Sequence, residues 1–266
     1  MEPPGHGLLA GKVAVVTAAA GTGIGSATAR RLLLEGASVV ISDAHERRLG
    51  ETAAVLATLA ETLGAAGGGG AGGEPPLAVP CDVTDEPQVR ELFRAAEDRH
   101  GRIDVVVNNA GLGGTADLAD MTDDEWHRVV DVTLTGTFRC TRAALRILRR
   151  QGSGVIVNNA SVLGWRAQAG QAHYAAAKAG VMALTRSAAL EAAPFGVRIN
   201  AVAPSLAMHP FLAKVTSDEL LDELAGREAF GRAAEPWEVA TVIAFLASDY
   251  SSYMTGEVVS VSSQHP

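Results

Sequence analysis

Short apolar runs rich in β-branched residues alternate with longer, helix-favouring segments along the chain. The runs KVAVVT, SVVIS, LAVPCDV, IDVVVNNAG, GVIVNNAS and VRINAVAP predict six buried strands, and VVSVSS near the end predicts a seventh. Segments such as SATARRLLLEGA, and the Ala-rich stretch from Tyr174 onward, predict the helices between them. This alternation indicates an α/β fold, in which a doubly wound parallel sheet of about seven strands carries helices on both faces.

Length and composition are compatible with a single domain. A chain of 266 residues with 47% hydrophobic content can bury one sizeable core, so we predict one domain over residues 1–266. The Gly-rich stretch GAAGGGGAGGEPP follows no strand and precedes no helix-capping signal. It therefore predicts a flexible surface loop at 64–76 rather than a phosphate-binding turn.

Charge and residue usage exclude several kinds of site and partner. With 22 basic and 30 acidic residues the net charge is -8, which argues against a nucleic-acid-binding groove. The two cysteines and seven scattered histidines lack metal-ligand spacing, so we expect no metal. No apolar run is long enough to cross a membrane, and the first residues lack the order of a signal peptide. We therefore expect a cytoplasmic protein.

The first strand leads into the Gly-rich stretch AAAGTGIG and then into a helix, as in Rossmann-type folds. Small residues at this turn let backbone N–H groups approach a pyrophosphate at a helix N-terminus, whose dipole favours the negative charge. The alternative is a tight turn without a ligand. The candidate cofactor residues here are Thr17, Ala18, Gly21, Thr22, Gly23 and Ile24.

Asp43 ends the second strand, about 20 residues after the glycines. An acid at this place can accept hydrogen bonds from both hydroxyls of an adenosine ribose, and it would repel a 2′-phosphate. NAD(H) is therefore favoured over NADP(H) as the cofactor. Arg47 and Arg48 follow closely and could reach a phosphate, although a solvated helix face also explains them.

The third and fourth strands end in further candidate cofactor residues. Asp82, followed by Val83, is placed to bind an adenine amino group. Asp82 could instead cap the next helix, a role that Thr84 or Asp85 could also fill. The fourth strand leads into small and amide residues suited to close packing beside the adenosine ribose, namely Asn109, Ala110 and Gly111 with Asn108 before them.

The stretch SVLGWRAQAGQAHYAAAK carries a hydroxyl, a phenol and an ammonium group. Tyr174 and Lys178 lie one helical turn apart on the same face, so their side chains can meet. A phenol titrates near ~10 in water, and a neighbouring ammonium lowers that value. Ser161 follows the fifth strand and could bind the same substrate oxygen. A Tyr-x-x-x-Lys pair alone is a weak signal, because it recurs by chance on solvated helices.

The chain resembles the short-chain dehydrogenases/reductases in a series of motifs that occur in the family's order. These are the glycine turn, Asp82-Val83, Asn108-Asn109-Ala110-Gly111, Ser161, the Tyr174/Lys178 pair and NAVAP. The resemblance covers nearly the whole chain. It implies hydride transfer between a nicotinamide and a carbinol or carbonyl carbon. In that case Tyr174 is the general acid/base, Ser161 positions the substrate oxygen, and Lys178 lowers the pKa of Tyr174 and binds the nicotinamide ribose.

The sequence departs from the family pattern at several places. The glycine turn has Ala18 after Thr17 and is one residue longer than usual. Thr133 stands where the family has an asparagine that holds a relay water, so the relay is either rebuilt or weakened. We count Thr133 with the catalytic candidates. After the sixth strand, Pro204-Ser205 and His209 replace the usual residues near the nicotinamide, and the remaining candidate cofactor contacts are Pro204, Ser205 and Ala207.

The segment at about 205–230 falls where the family carries a substrate lid. It supplies apolar side chains, and Trp165 adds apolar surface beyond Ser161, so the substrate is predicted to be a bulky hydrophobic alcohol or ketone, including cyclic ones. Simple interface packing is the alternative. The segment NNASVLGWRAQAGQAHY is similar in sequence to that of actinobacterial members that act on steroid-ring fragments as CoA thioesters. The candidate substrate residues are Leu163, Trp165, Arg166, His209 and Phe211.

Three functions remain open at this stage. The first is an NAD(H)-dependent oxidoreductase acting on such a substrate, the second a 3-oxoacyl-thioester reductase, and the third a catalytically silent nucleotide-binding subunit. The complete set of Ser161, Tyr174 and Lys178 favours an enzyme. The small residues of the helix after Tyr174 and the apolar last helix and strand further predict a homotetramer, as in the family's subunit contacts.

Overall fold

A computed structural model describes residues 2–65, 73–208 and 218–263 of the chain. The strands are β1 (Val13–Val16), β2 (Ser38–Asp43), β3 (Leu77–Pro80), β4 (Val105–Asn108), β5 (Gly154–Asn159), β6 (Val197–Pro204) and β7 (Val258–Val261). The helices are α1 (Ile24–Leu34), α2 (Glu46–Ala65), α3 (Glu86–His100), α4 (Asp123–Val130), α5 (Gly136–Gln151), α6 (Ala172–Ala192), α7 (Asp218–Gly226) and α8 (Pro236–Ala247).

The seven strands form one parallel sheet in the order β3-β2-β1-β4-β5-β6-β7. The chain starts at β1, moves outward to β3, then crosses back to place β4 on the other side of β1. This reversal makes a crevice outside the carboxyl ends of β1 and β4, which is where ligands bind in open α/β sheets. The predicted Rossmann-type architecture is confirmed.

Both faces of the sheet are covered because its strands are apolar on both sides. Along β4, Val105 and Val107 join a core cluster with α1, α2 and α8, whereas Val106 points to the opposite cluster with α3, α5 and α6. The period of two along a strand therefore divides a continuous valine run between two cores.

The segment WHRVVDVTLTGTFRCTRAALRILRR does not form one uniform α-helix. α4 passes through a π-helical segment, Asp131–Thr135, before α5 begins. Such segments interrupt the regular ladder and are frequent at functional sites. Here the segment carries Thr133 against the crevice.

The sequence offers Asp82, Thr84 and Asp85 as candidates for the N-cap of helix α3. Asp85 accepts a hydrogen bond from the Gln88 backbone N–H at 3.1 Å, whereas Asp82 accepts bonds from the backbone N–H and hydroxyl of Thr84. Asp85 is therefore the N-cap, and the capping alternative for Asp82 is wrong.

Two predicted segments lie partly outside the described residues. Of the loop predicted at 64–76, Gly64 and Ala65 are instead the last residues of α2, and 66–72 lie outside the described residues. In the predicted lid at about 205–230, 209–217 lie outside, and with them His209 and Phe211. No helix in the described part of the chain is both long and apolar enough to cross a membrane.

Candidate active site

Ser161, Tyr174 and Lys178 meet beyond the carboxyl end of β5. Ser161 lies two residues after β5 and caps a short 3₁₀ turn, where its Oγ accepts a hydrogen bond from the Leu163 N–H at 3.2 Å. Tyr174 lies in the first turn of α6, and its hydroxyl is hydrogen-bonded to Ser161. The predicted grouping of a serine hydroxyl with a phenol is thus present in the structure.

Lys178 is buried one turn further along α6, with its Nζ 5.6 Å from the centre of the Tyr174 ring. Its Nζ donates a hydrogen bond to the backbone carbonyl of Asn159 at 2.5 Å. The ammonium group therefore lies beside the aromatic ring and is held by β5 rather than by the phenol oxygen.

Burial shifts the pKa of Tyr174 and the pKa of Lys178 in the direction that favours the neutral form of each side chain. Burial raises the pKa of Tyr174 to about 12, and the hydrogen bond with Ser161 only partly opposes it. Burial also lowers the pKa of Lys178 to about 8. The lowering of this pKa by Lys178 stays a prediction, and in the protein alone the loss of water around the phenolate is the largest influence on Tyr174. At neutral pH Tyr174 is therefore a protonated acid.

Thr133 does not face Tyr174 with a free hydroxyl. The buried Oγ1 accepts a hydrogen bond from the Leu112 N–H at 3.0 Å and donates one to the Leu112 carbonyl at 3.2 Å. The hydroxyl thus closes a two-bond clamp on the segment that follows β4. A threonine hydroxyl has one proton, which is here donated to the Leu112 carbonyl, and the catalytic role of Thr133 stays a prediction.

The glycine turn packs tightly between β1 and α1. Thr17 Oγ1 accepts hydrogen bonds from the N–H groups of Asn109 and Ala110, at 3.0 and 3.2 Å. Ala18 has φ +50°, and it is the one non-glycine residue with positive φ among those described. A Cβ at Gly25 would lie 2.2 Å from the Ala18 carbonyl oxygen, so glycine is required there for α1 to approach the turn.

The remaining turn residues lead from β1 to the start of α1. Gly21 donates its N–H to Thr52 Oγ1 at 2.9 Å, and Gly23 forms the N-cap of α1 without any side-chain capping bond. Ile24 is the first residue of α1, and Thr22 lies two residues before it. Uncapped N–H groups and the helix dipole make this end of α1 suited to an anionic group.

Asp43 ends β2 next to this turn. One carboxylate oxygen accepts a hydrogen bond from the Ala20 N–H at 3.2 Å, and the other accepts one from the His45 N–H at 2.9 Å. Burial raises the pKa of Asp43, while the Ala20 hydrogen bond and the nearby Arg48 oppose that rise. The carboxylate is therefore partly engaged in shaping the turn.

The candidate cofactor residues on the neighbouring strands line the same edge. Asp82 is half-buried after β3, and Val83 packs against the first residue of α5, since a Cβ at Gly136 would lie 2.6 Å from Val83 Cγ2. Gly111 lies close to Lys178, because a Cβ there would be 3.3 Å from its Nζ.

Beyond β6, the chain continues alongside β7. Ser205 donates its N–H to the Val261 carbonyl at 3.1 Å, and its buried Oγ has no partner in residues 2–65, 73–208 and 218–263. Ala207 is buried and pairs with Ala234 in a short parallel bridge. Pro204 is the last residue of β6.

The described substrate candidates lie on the loop after Ser161. Leu163 and Arg166 are half-buried, and Trp165 is 52% exposed, so a large apolar surface is available at the mouth of the crevice.

A short-chain dehydrogenase profile, described as "Enoyl-(Acyl carrier protein) reductase", matches residues 18–263. The chain belongs to the short-chain dehydrogenase/reductase family. The protein is therefore an oxidoreductase that acts on an alcohol or ketone with a nicotinamide cofactor.

Individual members of this family are similar over their full length. The "(5R,7aS)-5-hydroxy-7a-methyl-1-oxo-2,3,5,6,7,7a-hexahydro-1H-indene-carboxyl-CoA reductase" of Mycobacterium tuberculosis is 68% identical over 266 residues, with 100% of this chain and 97% of the relative covered. The cis-4-hydroxycyclohexanecarboxylate dehydrogenase of Sinomonas cyclohexanicum is 44% identical, with 94% of each chain covered. The crystal structure of a short-chain dehydrogenase from Mycobacterium smegmatis superposes with a TM-score of 0.85 at 61% identity, covering 100% of this chain and 98% of that chain.

The residues present fit the family's dinucleotide. Within the part of the chain that the structure describes, Ser42 Oγ, Asn159 Oδ1 and Ser205 Oγ are buried polar atoms without partners, and all three lie at or just beyond the carboxyl ends of strands. Polar atoms without partners are costly to bury unless a ligand or water pairs with them. Together with the open N-terminus of α1, they describe an elongated polar site along this edge of the short-chain dehydrogenase/reductase fold.

Two residues of this site were not singled out in the sequence. Asn159 provides the carbonyl that binds Lys178, and His173 is buried with its Nδ1 accepting the N–H of Tyr174 at 2.9 Å. The second asparagine of NNAS and the histidine before the tyrosine were visible signals. Their importance depends on contacts that are not apparent from spacing.

Proposed function

We propose that the protein is an NAD(H)-dependent oxidoreductase that interconverts a secondary alcohol and a ketone on a bulky cyclic substrate linked to CoA. The observation that carries the proposal is the grouping of Ser161, Tyr174 and Lys178 in a chain that is 68% identical, end to end, to a reductase named for a CoA-linked hydroindene. The compound in the name of that relative has a ring hydroxyl, a ring ketone and a CoA group.

Ser161 and Tyr174 would bind the substrate oxygen between their hydroxyls, with Tyr174 as the proton donor when a ketone is reduced. The nicotinamide supplies or accepts the hydride. The high pKa of Tyr174 keeps its proton in place at neutral pH, so the phenol can donate that proton when a ketone is reduced. Lys178, held by the Asn159 carbonyl, would bind the nicotinamide ribose and favour the phenolate once the proton has left.

Trp165 and Leu163 support an apolar ring system in the substrate, because they place hydrophobic surface beside Ser161. A 3-oxoacyl-thioester reductase is the second candidate, favoured by 39% identity over 253 residues to a 3-oxoacyl-[acyl-carrier-protein] reductase of Thermotoga maritima. The oligomeric state in this proposal is a homotetramer, supported by the apolar outer side chains of α5 and α8, Phe138 and Phe245.

A substrate comparison tests the proposal. NADH oxidation is followed over a range of substrate concentrations with a hydroindane ketone carboxyl-CoA, with the corresponding free acid, and with acetoacetyl-CoA. We expect the cyclic CoA thioester to give the highest kcat/KM. A higher kcat/KM for acetoacetyl-CoA would select the second candidate, and no turnover of any ketone or alcohol would select the silent subunit.

Asp43→Ala should weaken NADH binding by ~1–3 kcal/mol, because charge-assisted hydrogen bonds to the adenosine ribose are lost. It should also bring the affinity for NADPH closer to that for NADH, because the repulsion of a 2′-phosphate is removed. Both affinities are measured by fluorescence titration of the purified protein.

Asp43→Asn is the matched control, because an amide oxygen can still accept the Ala20 N–H bond that shapes the turn. It should shift cofactor preference in the same direction with a smaller loss of NADH affinity. A wild-type protein that binds NADPH more tightly than NADH would refute the assignment of Asp43.

Arg166→Ala should raise KM for the CoA thioester several-fold, and more at low salt than at high salt. A protein with a net charge of -8 needs a local cation to bind an anionic thioester, and a guanidinium can pair bidentately with phosphate. Arg166 lies on the loop that follows Ser161.

The control for this change is Arg186→Ala, an exposed arginine on α6 roughly 18 Å along the helix from Tyr174. It should leave KM unchanged. If Arg166→Ala affects the free acid and the thioester equally, Arg166 shapes the loop and does not bind the CoA portion.

A further inference from the structure

The side-chain amide of Asn159 has a fixed orientation. Asn109 Nδ2 donates to the carbonyls of Thr17 and Ala18, at 3.2 and 3.0 Å, so its other amide atom, Oδ1, is an acceptor. Asn159 lies 2.9 Å from that Oδ1 and must present Nδ2 to it. The neighbouring backbone thus decides which way the Asn159 amide points.

Once Nδ2 is assigned, Asn159 Oδ1 is an acceptor that lacks a donor. The residue is 9% exposed, and its Oδ1 is buried without any hydrogen-bond partner among the described residues. A buried carbonyl-type oxygen cannot turn into a donor, unlike the hydroxyls of Ser42 and Ser205. It therefore requires an N–H or O–H group from a bound molecule, or it costs the protein free energy of folding.

The position of Asn159 indicates which bound molecule supplies the donor. It is the last residue of β5, its backbone carbonyl binds Lys178, and Ser161 follows two residues later. Asp43, the proposed adenosine ribose contact, ends β2, three strand positions away across β1 and β4. That separation is about 14 Å at the usual strand spacing. Asn159 thus belongs to the catalytic half of the cofactor site.

We propose that Asn159 Oδ1 accepts a hydrogen bond from a ribose hydroxyl in the nicotinamide half of the cofactor. The same residue then binds Lys178 through its carbonyl, the glycine turn through Nδ2 and Asn109, and the cofactor through Oδ1. Asn159 would couple the placement of the cofactor to that of the lysine. This inference rests on the nicotinamide cofactor of the proposed function and is independent of the substrate.

The test uses the full chain, isothermal titration calorimetry and three ligands without any turnover. NADH and ADP-ribose contain the second ribose, whereas ADP contains only the adenosine ribose. Asn159→Ala should weaken the binding of NADH and ADP-ribose about five- to tenfold, which corresponds to one ordinary hydrogen bond. The affinity for ADP should stay within twofold of the wild type.

Thr185→Val is the matched control. It removes the acceptor of the neighbouring buried amide, Asn158 Nδ2, which points to the opposite face of the sheet. It should leave all three affinities unchanged. If Asn159→Ala does not fold, as judged by circular dichroism, Asn159→Ser is measured against the same criterion.

Two results would overturn the proposal. Equal weakening of all three ligands would show that Asn159 acts through Asn109 on the glycine turn, and unchanged binding of all three would show that water alone pairs with Oδ1. A wild-type protein that binds no dinucleotide would instead refute the proposed function itself, so the two failures are distinguishable.

Discussion

Tyr174→Phe is expected to lower kcat by ~10²–10⁴-fold while leaving NADH affinity nearly unchanged. The substitution removes the hydroxyl that bonds to Ser161 and transfers the proton, but it keeps the ring that packs beside Lys178 Nζ. Steady-state kinetics with a ketone substrate give kcat, and fluorescence titration gives the affinity for NADH. An unchanged cofactor affinity shows that the loss lies in proton transfer.

The matched control is Tyr250→Phe, which removes the same hydroxyl from a tyrosine that is 77% exposed on the surface. It should not change kcat. If Tyr174→Phe keeps more than about a hundredth of the wild-type kcat, Tyr174 is not the general acid/base, because a positioned group contributes at least ~10²-fold.

Arg31→Met is expected to lower the free energy of unfolding by ~3–5 kcal/mol, because it leaves the Glu35 carboxylate buried without its charge partner. Both side chains are almost completely buried at the end of α1, where they form an ion pair. The guanidinium also donates to the Pro3 and Pro4 carbonyls, at 2.6 and 3.0 Å. The loss should fall toward the lower end of this range, since backbone N–H groups still bind Glu35.

Urea unfolding measures the change, with two variants as controls. Arg47→Met breaks an exposed ion pair with Glu51 and should barely shift the unfolding midpoint. Arg31→Met combined with Glu35→Leu removes both charges and should recover part of the lost stability. If the double variant is no more stable than Arg31→Met, the contacts to Pro3 and Pro4 matter more than the ion pair.

The same pair gives the stability a pH dependence. Burial alone would raise the pKa of Glu35, but hydrogen bonds from Arg31 and from the Leu8 and His6 backbones hold it below its ordinary value. A carboxyl whose folded pKa is lowered stabilises the protein above its unfolded pKa. This stabilisation is lost as the pH falls from that value through the folded pKa.

The sequence was sufficient for the fold because the information is local and repeated. Each strand is a short β-branched run, and each crossover is long enough for a helix. Parallel strands joined by right-handed crossovers leave few arrangements open. The break between α4 and α5 was not predictable, because DVTLTG has no proline, and the π-helical segment coincides with a tertiary clamp between Thr133 and Leu112.

For the site, sequence spacing was sufficient to bring groups to one edge but not to assign their partners. Tyr174 and Lys178 share a helix face, and Ser161 follows a strand end, so secondary structure alone predicts their proximity. The partner of Lys178 is a carbonyl on β5, 19 residues earlier in the chain. Every residue has a backbone carbonyl, so this contact cannot be recognised from the residue type at position 159.

By itself, the sequence determined the α/β architecture, the family, and which side chains lie at the carboxyl edge of the sheet, because periodicity and motif order are properties of the chain. Tertiary structure decided the raised pKa of Tyr174, the lowered pKa of Lys178, the clamping role of Thr133 and the orientation of the Asn159 amide. These depend on burial and on hydrogen bonds between distant segments. Desolvation and amide orientation exist only once those segments have packed together.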